Sequence, residues 1–183
     1  MIIASEKRKE NIAEYLIYMW HIEDLIRAND LDIDKIRLNV ISRYQNLTPE
    51  QVREMTDWYE SLIDMMRREG VEKNGHLQIN KNILSAMVAL HQTLLNDPSF
   101  PDYTAEFYKA LPYIVELRAK AGENKSGEIE TCINALYGML LMRLQGKEIS
   151  KDTVAAIAQI SHFIAVLARN FKLDEEDALF KHE

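Results

Sequence analysis

Apolar residues recur every three to four positions along almost the whole chain, which is the period of an amphipathic α-helix. The segment after Pro49 shows this most clearly, because Val52, Met55, Tyr59 and Leu62 project onto one face and charged residues onto the other. No segment alternates with period two between turn residues, so no strand is predicted. The pattern predicts an all-α, single-domain bundle of about seven helices, near residues 5–28, 33–45, 49–69, 81–96, 102–121, 127–145 and 151–171.

Residues that begin and end helices mark several of these boundaries. Thr48, Pro49 and Gln51 together form the signature of a capped helix start. Ser150 and Asn80 are predicted to cap two further helices in the same way. Glycines that follow a helical stretch are predicted to end it in a left-handed conformation; these are Gly70, Gly122 and Gly146.

The first and the sixth predicted helices carry apolar residues around most of their circumference, which indicates that they lie at the centre of the bundle. The 183 residues contain no repeat or linker that would divide them, and a chain of this length can bury a core of its own. We therefore predict one helical domain over residues 1–172. The acidic tail at 173–183 is expected to fray.

Three polar side chains fall where the helical period requires apolar ones: Glu23, His91 and Arg118. A buried charge costs free energy unless it is paired, so each of the three is expected to meet a partner. Glu23 and Arg118 have no other well-placed opposite charge on their own helices, which predicts that they pair with each other. For His91 we expect ring nitrogens bonded to a carbonyl and a hydroxyl within the core.

The same trio supports a second interpretation. Arg118 could anchor an anionic small molecule in a pocket, with Glu23 orienting the guanidinium and His91 handling a proton near neutral pH. A cavity connected to solvent and lined by Glu23, His91 and Arg118 would favour this ligand-binding site. Side chains sealed in the core with their polar atoms bonded internally would favour a structural role.

Composition limits the classes of function. The net charge of −7 argues against a nucleic acid partner, because phosphate binding depends on lysine and arginine. The first residues are followed at once by charged ones, without the apolar stretch of a signal peptide, so export is not expected. The single cysteine, Cys132, cannot form an intrachain disulfide and is predicted to be buried in the core. A chain without disulfides is expected in a reducing compartment. The sequence predicts a cytoplasmic protein that does not bind a membrane.

Motifs for metal, cofactor or catalytic chemistry are not found. Asp30, Asp32 and Asp34 begin like a calcium loop, but Lys35 and Ile41 occupy the positions where that loop requires Gly and Glu. The acidic residues are better explained as caps of the second helix. No Glu-x-x-His pair or glycine-rich phosphate loop occurs. We therefore predict no metal site, no cofactor and no catalytic residue.

The function favoured by these observations is non-enzymatic, through contact with a protein partner or through self-association. Trp20, Met142 and Phe163 project outside the main apolar arcs of their helices, which predicts exposed apolar surface of the kind found at interfaces. The alternative is the small-molecule binder or enzyme described above. The sequence alone does not identify a reaction.

Three segments of the chain, at residues 6–28, 76–82 and 109–141, resemble a family of bacterial helical proteins that is classed as a domain of unknown function. The resemblance spans nearly the whole chain and is weakest in the acidic tail. It implies a single-domain, all-helical protein of the bacterial cytoplasm. It implies no activity, cofactor or functional residue.

Overall fold

The fold is all-α, as the pattern predicts. The computed structural model describes residues 2–121 and 126–179, with side chains from residue 4 onward. This part of the chain contains eight helices and a short 3-10 turn at Ile41–Arg43. The helices are α1 (Ile2–Glu10), α2 (Ile12–Ala28), α3 (Ile33–Asn39), α4 (Pro49–Arg68), α5 (Gln78–Asn96), α6 (Pro101–Lys120), α7 (Glu128–Leu144) and α8 (Lys151–Glu175).

Asn11 divides the first predicted helix into α1 and α2. Its backbone is extended, and its side-chain oxygen accepts hydrogen bonds from the N–H groups of Ala13 and Glu14. These bonds satisfy the free donors at the start of α2. The prediction of one helix over 5–28 was therefore wrong, because the apolar period continues through a residue whose side chain begins a new helix.

Most of the other predicted boundaries are confirmed. Thr48 and Gln51 form the reciprocal capping box of α4, and Ser150 accepts a hydrogen bond from the third residue of α8. Gly70 and Gly146 have φ angles of +68° and +64°, the left-handed conformation expected where α4 and α7 end. Gly122 lies outside the described residues. The last helix continues to Glu175, past the predicted end of the domain at residue 172.

The core lies where α2, α5, α6, α7 and α8 meet. Helix α2 packs against α5, α7 and α8, and α7 packs against α2, α5, α6 and α8. Helix α8 also contacts four other helices and belongs to the same centre. Its window of 18 residues with a mean hydropathy of 1.4 has the length and composition of a membrane span, and 39% of that window is buried inside the bundle. Core helices of soluble proteins have the same composition.

Trp20 and Phe163 are buried, so the prediction that they lie outside the core was wrong. Trp20 stacks on the ring of His76, and Phe163 lies against the rings of His91 and Phe107. Helices α2 and α8 are covered from several sides, and their buried arcs are wider than one apolar stripe. Met142 is half-buried. Exposed apolar surface lies at other residues, such as Leu144 and Val154.

Candidate functional site

Glu23 on α2 is completely buried and accepts three hydrogen bonds. Its Oε1 atom accepts from the backbone N–H of Leu77 at 3.0 Å and from Nδ2 of Asn80 at 2.7 Å. Its Oε2 atom lies 2.6 Å from Nδ1 of His76. All three donors belong to one short stretch, where the chain enters α5. Glu23 therefore has the internal partners that its burial requires, and Arg118 is not one of them.

The start of α5 explains why a carboxylate is needed there. Leu77 occupies the N-cap position and provides no side-chain oxygen to the free N–H groups of the first turn. Glu23 accepts from Leu77, and Glu69, at the end of α4, accepts from the N–H of Gln78 at 2.6 Å. Two carboxylates from other helices thus lie at the positive end of the α5 dipole. Asn80 was predicted to be the cap, which is wrong: it lies inside α5, and its amide reaches Glu23.

Further polar contacts hold the α4–α5 connection against α2. Arg27 donates to the carbonyl oxygens of Val71 and Gly75 and forms an ion pair with Asp24 at 2.8 Å. Asp24 in turn accepts a hydrogen bond of 2.6 Å from the hydroxyl of Tyr137 on α7. These contacts fix the position from which the chain presents His76, Leu77 and Asn80 to Glu23.

His76 is the donor to Glu23 whose side chain reaches the surface. Its side chain is 29% exposed, and it stacks on Trp20 with ring centroids 4.2 Å apart. A buried carboxylate on Nδ1 fixes the tautomer and the orientation of the ring, as general bases require. Within the described ranges, His76 shares no hydrogen bond with a serine, threonine or cysteine, the side chains that a histidine base activates as nucleophiles. Sequence reasoning missed His76, although this residue begins the segment 76–82 that resembles the family of unknown function.

His91 lies in an aromatic part of the core, near the other end of α5. It is 3% exposed, and Nδ1 lies 2.6 Å from the hydroxyl of Tyr103 on α6. Nε2 is 3.7 Å from Oε2 of Glu128, too far for a hydrogen bond, and no other described residue bonds to it. Burial lowers the pKa of His91, and the nearby Glu128 carboxylate opposes that shift. The predicted hydroxyl partner is present, but the predicted carbonyl partner is not.

Two further residues, Cys132 and Arg118, were also the subject of predictions. Cys132 is buried as predicted, and burial raises the pKa of its thiol to about 12, which makes it a poor nucleophile. Arg118, near the end of α6, is half-buried. Its Nε atom is buried without a hydrogen-bond partner in the described ranges 2–121 and 126–179. The predicted pair between Glu23 and Arg118 is not formed.

The three residues of the predicted pocket lie in separate environments. Leu77, which donates to Glu23, is the N-cap of α5. It lies 14 positions before His91, or about 21 Å along the helix axis. Phe107, which contacts the His91 ring, and Arg118 are 11 positions apart on α6, or about 16 Å. Four grooves described on the surface are lined by other side chains. Among the described residues, no three His, Cys, Asp or Glu side chains are grouped to hold a metal ion.

The largest of these grooves lies between α2, α7 and α8 and has a volume of about 600 Å³. We call it the α2/α7/α8 groove. Its walls are mostly apolar. Val154 in the lining is 44% exposed, and Leu144, one helical turn after the lining residue Leu140 on α7, is 63% exposed. The lining residues are Asn11, Ala13, Glu14, Ile17, Leu136, Met139, Leu140, Arg143, Val154, Ile157, Ala158, Ser161, Ile164 and Ala165.

Sequence reasoning missed the groove because it placed the sixth predicted helix at the centre of the bundle and left only Met142 of that helix outside the main apolar arc. In the structure, most of the second half of α7 is only half-buried or exposed, although its residues are more apolar than those of the first half. Helix α8 packs against α7, and four α7 residues line the open groove between them: Leu136, Met139, Leu140 and Arg143. The signal was present in the apolar pattern, but it could not separate a buried face from an open one.

Comparison with known proteins identifies a family and no activity. The sequence model described as Domain of unknown function (DUF4924) matches residues 1–178, so the chain belongs to that family. No curated protein and no solved structure matches the chain. The function therefore has to be inferred from the geometry described above.

Proposed function

We propose that this member of the family acts without catalysis, by binding a protein partner in the α2/α7/α8 groove. The observation that carries the proposal is the groove itself, an open apolar surface formed by three helices and continued by the exposed Leu144 and Val154. Contiguous apolar surface of this kind is typical of interaction sites. A groove between helices is also the shape that receives the apolar face of a partner helix.

The polar residues of the core support the same proposal indirectly. Glu23 is fully engaged in starting α5, and His91 is sealed among aromatic rings. The alternative function, binding of a small anion by Glu23, His91 and Arg118, retains one supporting observation, the unbonded Nε of Arg118. That single atom supports a ligand site less well than the groove supports a protein contact.

The cell compartment belongs to the proposal as well. Cys132 is a free thiol, and a protein whose one cysteine is buried and unpaired suits a reducing compartment, which favours the cytoplasm. The net charge of −7 favours a protein partner over a nucleic acid or an anionic membrane surface.

Site-specific photocrosslinking in the protein's natural host tests the proposal. A photoreactive phenylalanine analogue at Ala158, which lies exposed in the groove, is expected to give a discrete adduct on a denaturing gel. The matched control is Val115 on α6, which is 55% exposed and lies outside the groove. The absence of an adduct at position 158, or the same adduct at both positions, would overturn the proposal.

A further inference from the structure

We infer that the occupant of the α2/α7/α8 groove is the same groove of a second copy of this chain, in a closed two-fold dimer. This inference rests on the proposed function and names its partner. Three features of the groove fit a copy of itself: a projecting apolar side chain on the same face, a line of small residues, and a rim that carries both signs of charge.

The projecting side chain is Leu144. It follows Leu136 and Leu140 at intervals of four residues, so all three lie on one stripe of α7. Leu136 and Leu140 line the groove, whereas Leu144 extends beyond its end and is 63% exposed. A two-fold axis that passes beside the groove can bring Leu144 of each copy to the groove of the other copy. Such a contact is isologous and closes at two copies.

The small residues lie on α8. Ala158, Ser161 and Ala165 line the groove at helical spacing, and all three are exposed. Small side chains allow the backbone of a facing helix to approach closely, and they leave no bulky side chain to block the groove. Val154, one turn before Ala158, continues this surface with a larger apolar group. A facing α7 or α8 of a second copy can therefore pack against α8 along two to three turns.

The rim of the groove carries Glu14 on α2 and Arg143 on α7. Arg143 is exposed and has no ion pair with any residue in the described part of the chain. Among the described residues, Glu14 forms an ion pair with Lys7 alone, and the side chains of Lys7 and Glu14 are 33% and 60% exposed. In a two-fold contact, each Arg143 can face the Glu14 of the other copy.

The net charge of −7 on each chain opposes this association over long distances. Salt at physiological concentration screens charges beyond about 8 Å. The local charges at the rim and the apolar groove then determine whether two copies bind.

The mass of the full-length protein in solution is the first test, measured by sedimentation velocity. We expect a particle of twice the chain mass of 21.3 kDa. Ala158→Glu places a charge in the apolar groove and is expected to give monomers. Val115→Glu introduces the same charge at an exposed apolar position on α6 and is expected to remain dimeric. Circular dichroism and thermal unfolding establish that both variants are folded.

Charge reversal at the rim tests the two-fold geometry. Arg143→Glu and Glu14→Arg each place like charges opposite one another in both contacts of the dimer, so each variant alone is expected to dimerise about tenfold more weakly or worse. When the two variants are mixed, every contact in the mixed dimer again joins opposite charges. The mixture is therefore expected to dimerise more tightly than either variant by itself, which contact with an unrelated protein would not produce.

The outcomes separate this inference from the proposed function. A wild-type chain that remains monomeric at its highest soluble concentration overturns the dimer, and so does a dimer that tolerates Ala158→Glu. If position 158 then crosslinks to a product of a different mass, the proposed function stands and the partner is a different protein. If the chain is monomeric and position 158 gives no adduct, both proposals fail.

Discussion

The two ends of α5 handle a buried titratable side chain in different ways. At its beginning, Glu23 is completely buried and accepts hydrogen bonds from His76, Leu77 and Asn80. Near its other end, His91 is almost equally buried, but within the part of the chain that the structure describes it has a hydrogen-bond partner at Nδ1 and none at Nε2. The sequence marks both residues in the same way, as polar positions on an apolar face.

The difference shows that the free-energy cost of burying a side chain depends on whether it must stay charged. A buried carboxylate without donors is very costly, and the free N–H groups at the start of a helix are a ready source of donors. An imidazole can be buried in its neutral form, which is why burial lowers the pKa of His91. One unbonded nitrogen on a neutral ring costs much less than an unpaired charge. A misplaced polar residue therefore indicates a partner strongly for Glu and only weakly for His.

The largest expected effect is at Glu23. Glu23→Leu leaves the buried N–H of Leu77 and the amide of Asn80 without their acceptor. Each unbonded buried donor costs about 1–3 kcal/mol, so we expect the free energy of unfolding to fall by about 3 kcal/mol or more in urea. Glu54→Leu, at an exposed position on α4, is the control and should change stability by less than about 0.5 kcal/mol. A loss below about 1 kcal/mol at Glu23 would contradict the assigned role.

Double-mutant cycles sharpen the assignment of its partner. Glu23→Gln combined with Asn80→Ala is expected to show a coupling of about 0.5–3 kcal/mol, because the two side chains share a hydrogen bond of 2.7 Å. Glu23→Gln combined with Arg118→Met is expected to be additive within about 0.5 kcal/mol. Denaturant unfolding of the single and double variants measures both couplings. A coupling to Arg118 as large as that to Asn80 would mean that the observed partners are not the dominant ones.

The smallest expected effect is the pH dependence that arises from His91. Because its folded-state pKa is lowered, the unfolded chain binds a proton first as the pH falls below about 6.5, and stability decreases in that window. His91→Gln should remove part of this decrease. The remainder includes His21, whose pKa burial also lowers. Glu128→Gln should make the decrease larger, since Glu128 raises the pKa of His91.

Thermal melts between pH 5 and 8, a range chosen to span the reference pKa of histidine at about 6.5, measure this dependence. The control is Ser85→Gln at an exposed position on α5, which removes no titratable group and should leave the pH dependence of stability unchanged. An identical pH dependence in the wild type and in His91→Gln would show that His91 titrates equally in the folded and unfolded chains.

Local sequence rules predicted the parts of the fold that depend on neighbouring residues. The caps at Thr48 and Ser150 and the helix ends at Gly70 and Gly146 follow from contacts within a few residues, and the structure confirms all four. The same rules failed at Asn80, because its side chain donates a hydrogen bond to Glu23 on another helix instead of capping α5. They also failed for Trp20 and Phe163, because a single helix does not reveal how many neighbours will cover it.

By itself, the sequence determined that the protein is helical, where most helices begin and end, and that Glu23, His91 and Arg118 lie on otherwise apolar faces. Only the tertiary structure decided which partners they meet and which apolar face stays open as the α2/α7/α8 groove. The physical reason is distance along the chain. Helical periodicity relates residues up to about four positions apart, whereas 54 positions separate Glu23 from Leu77 and 57 separate it from Asn80.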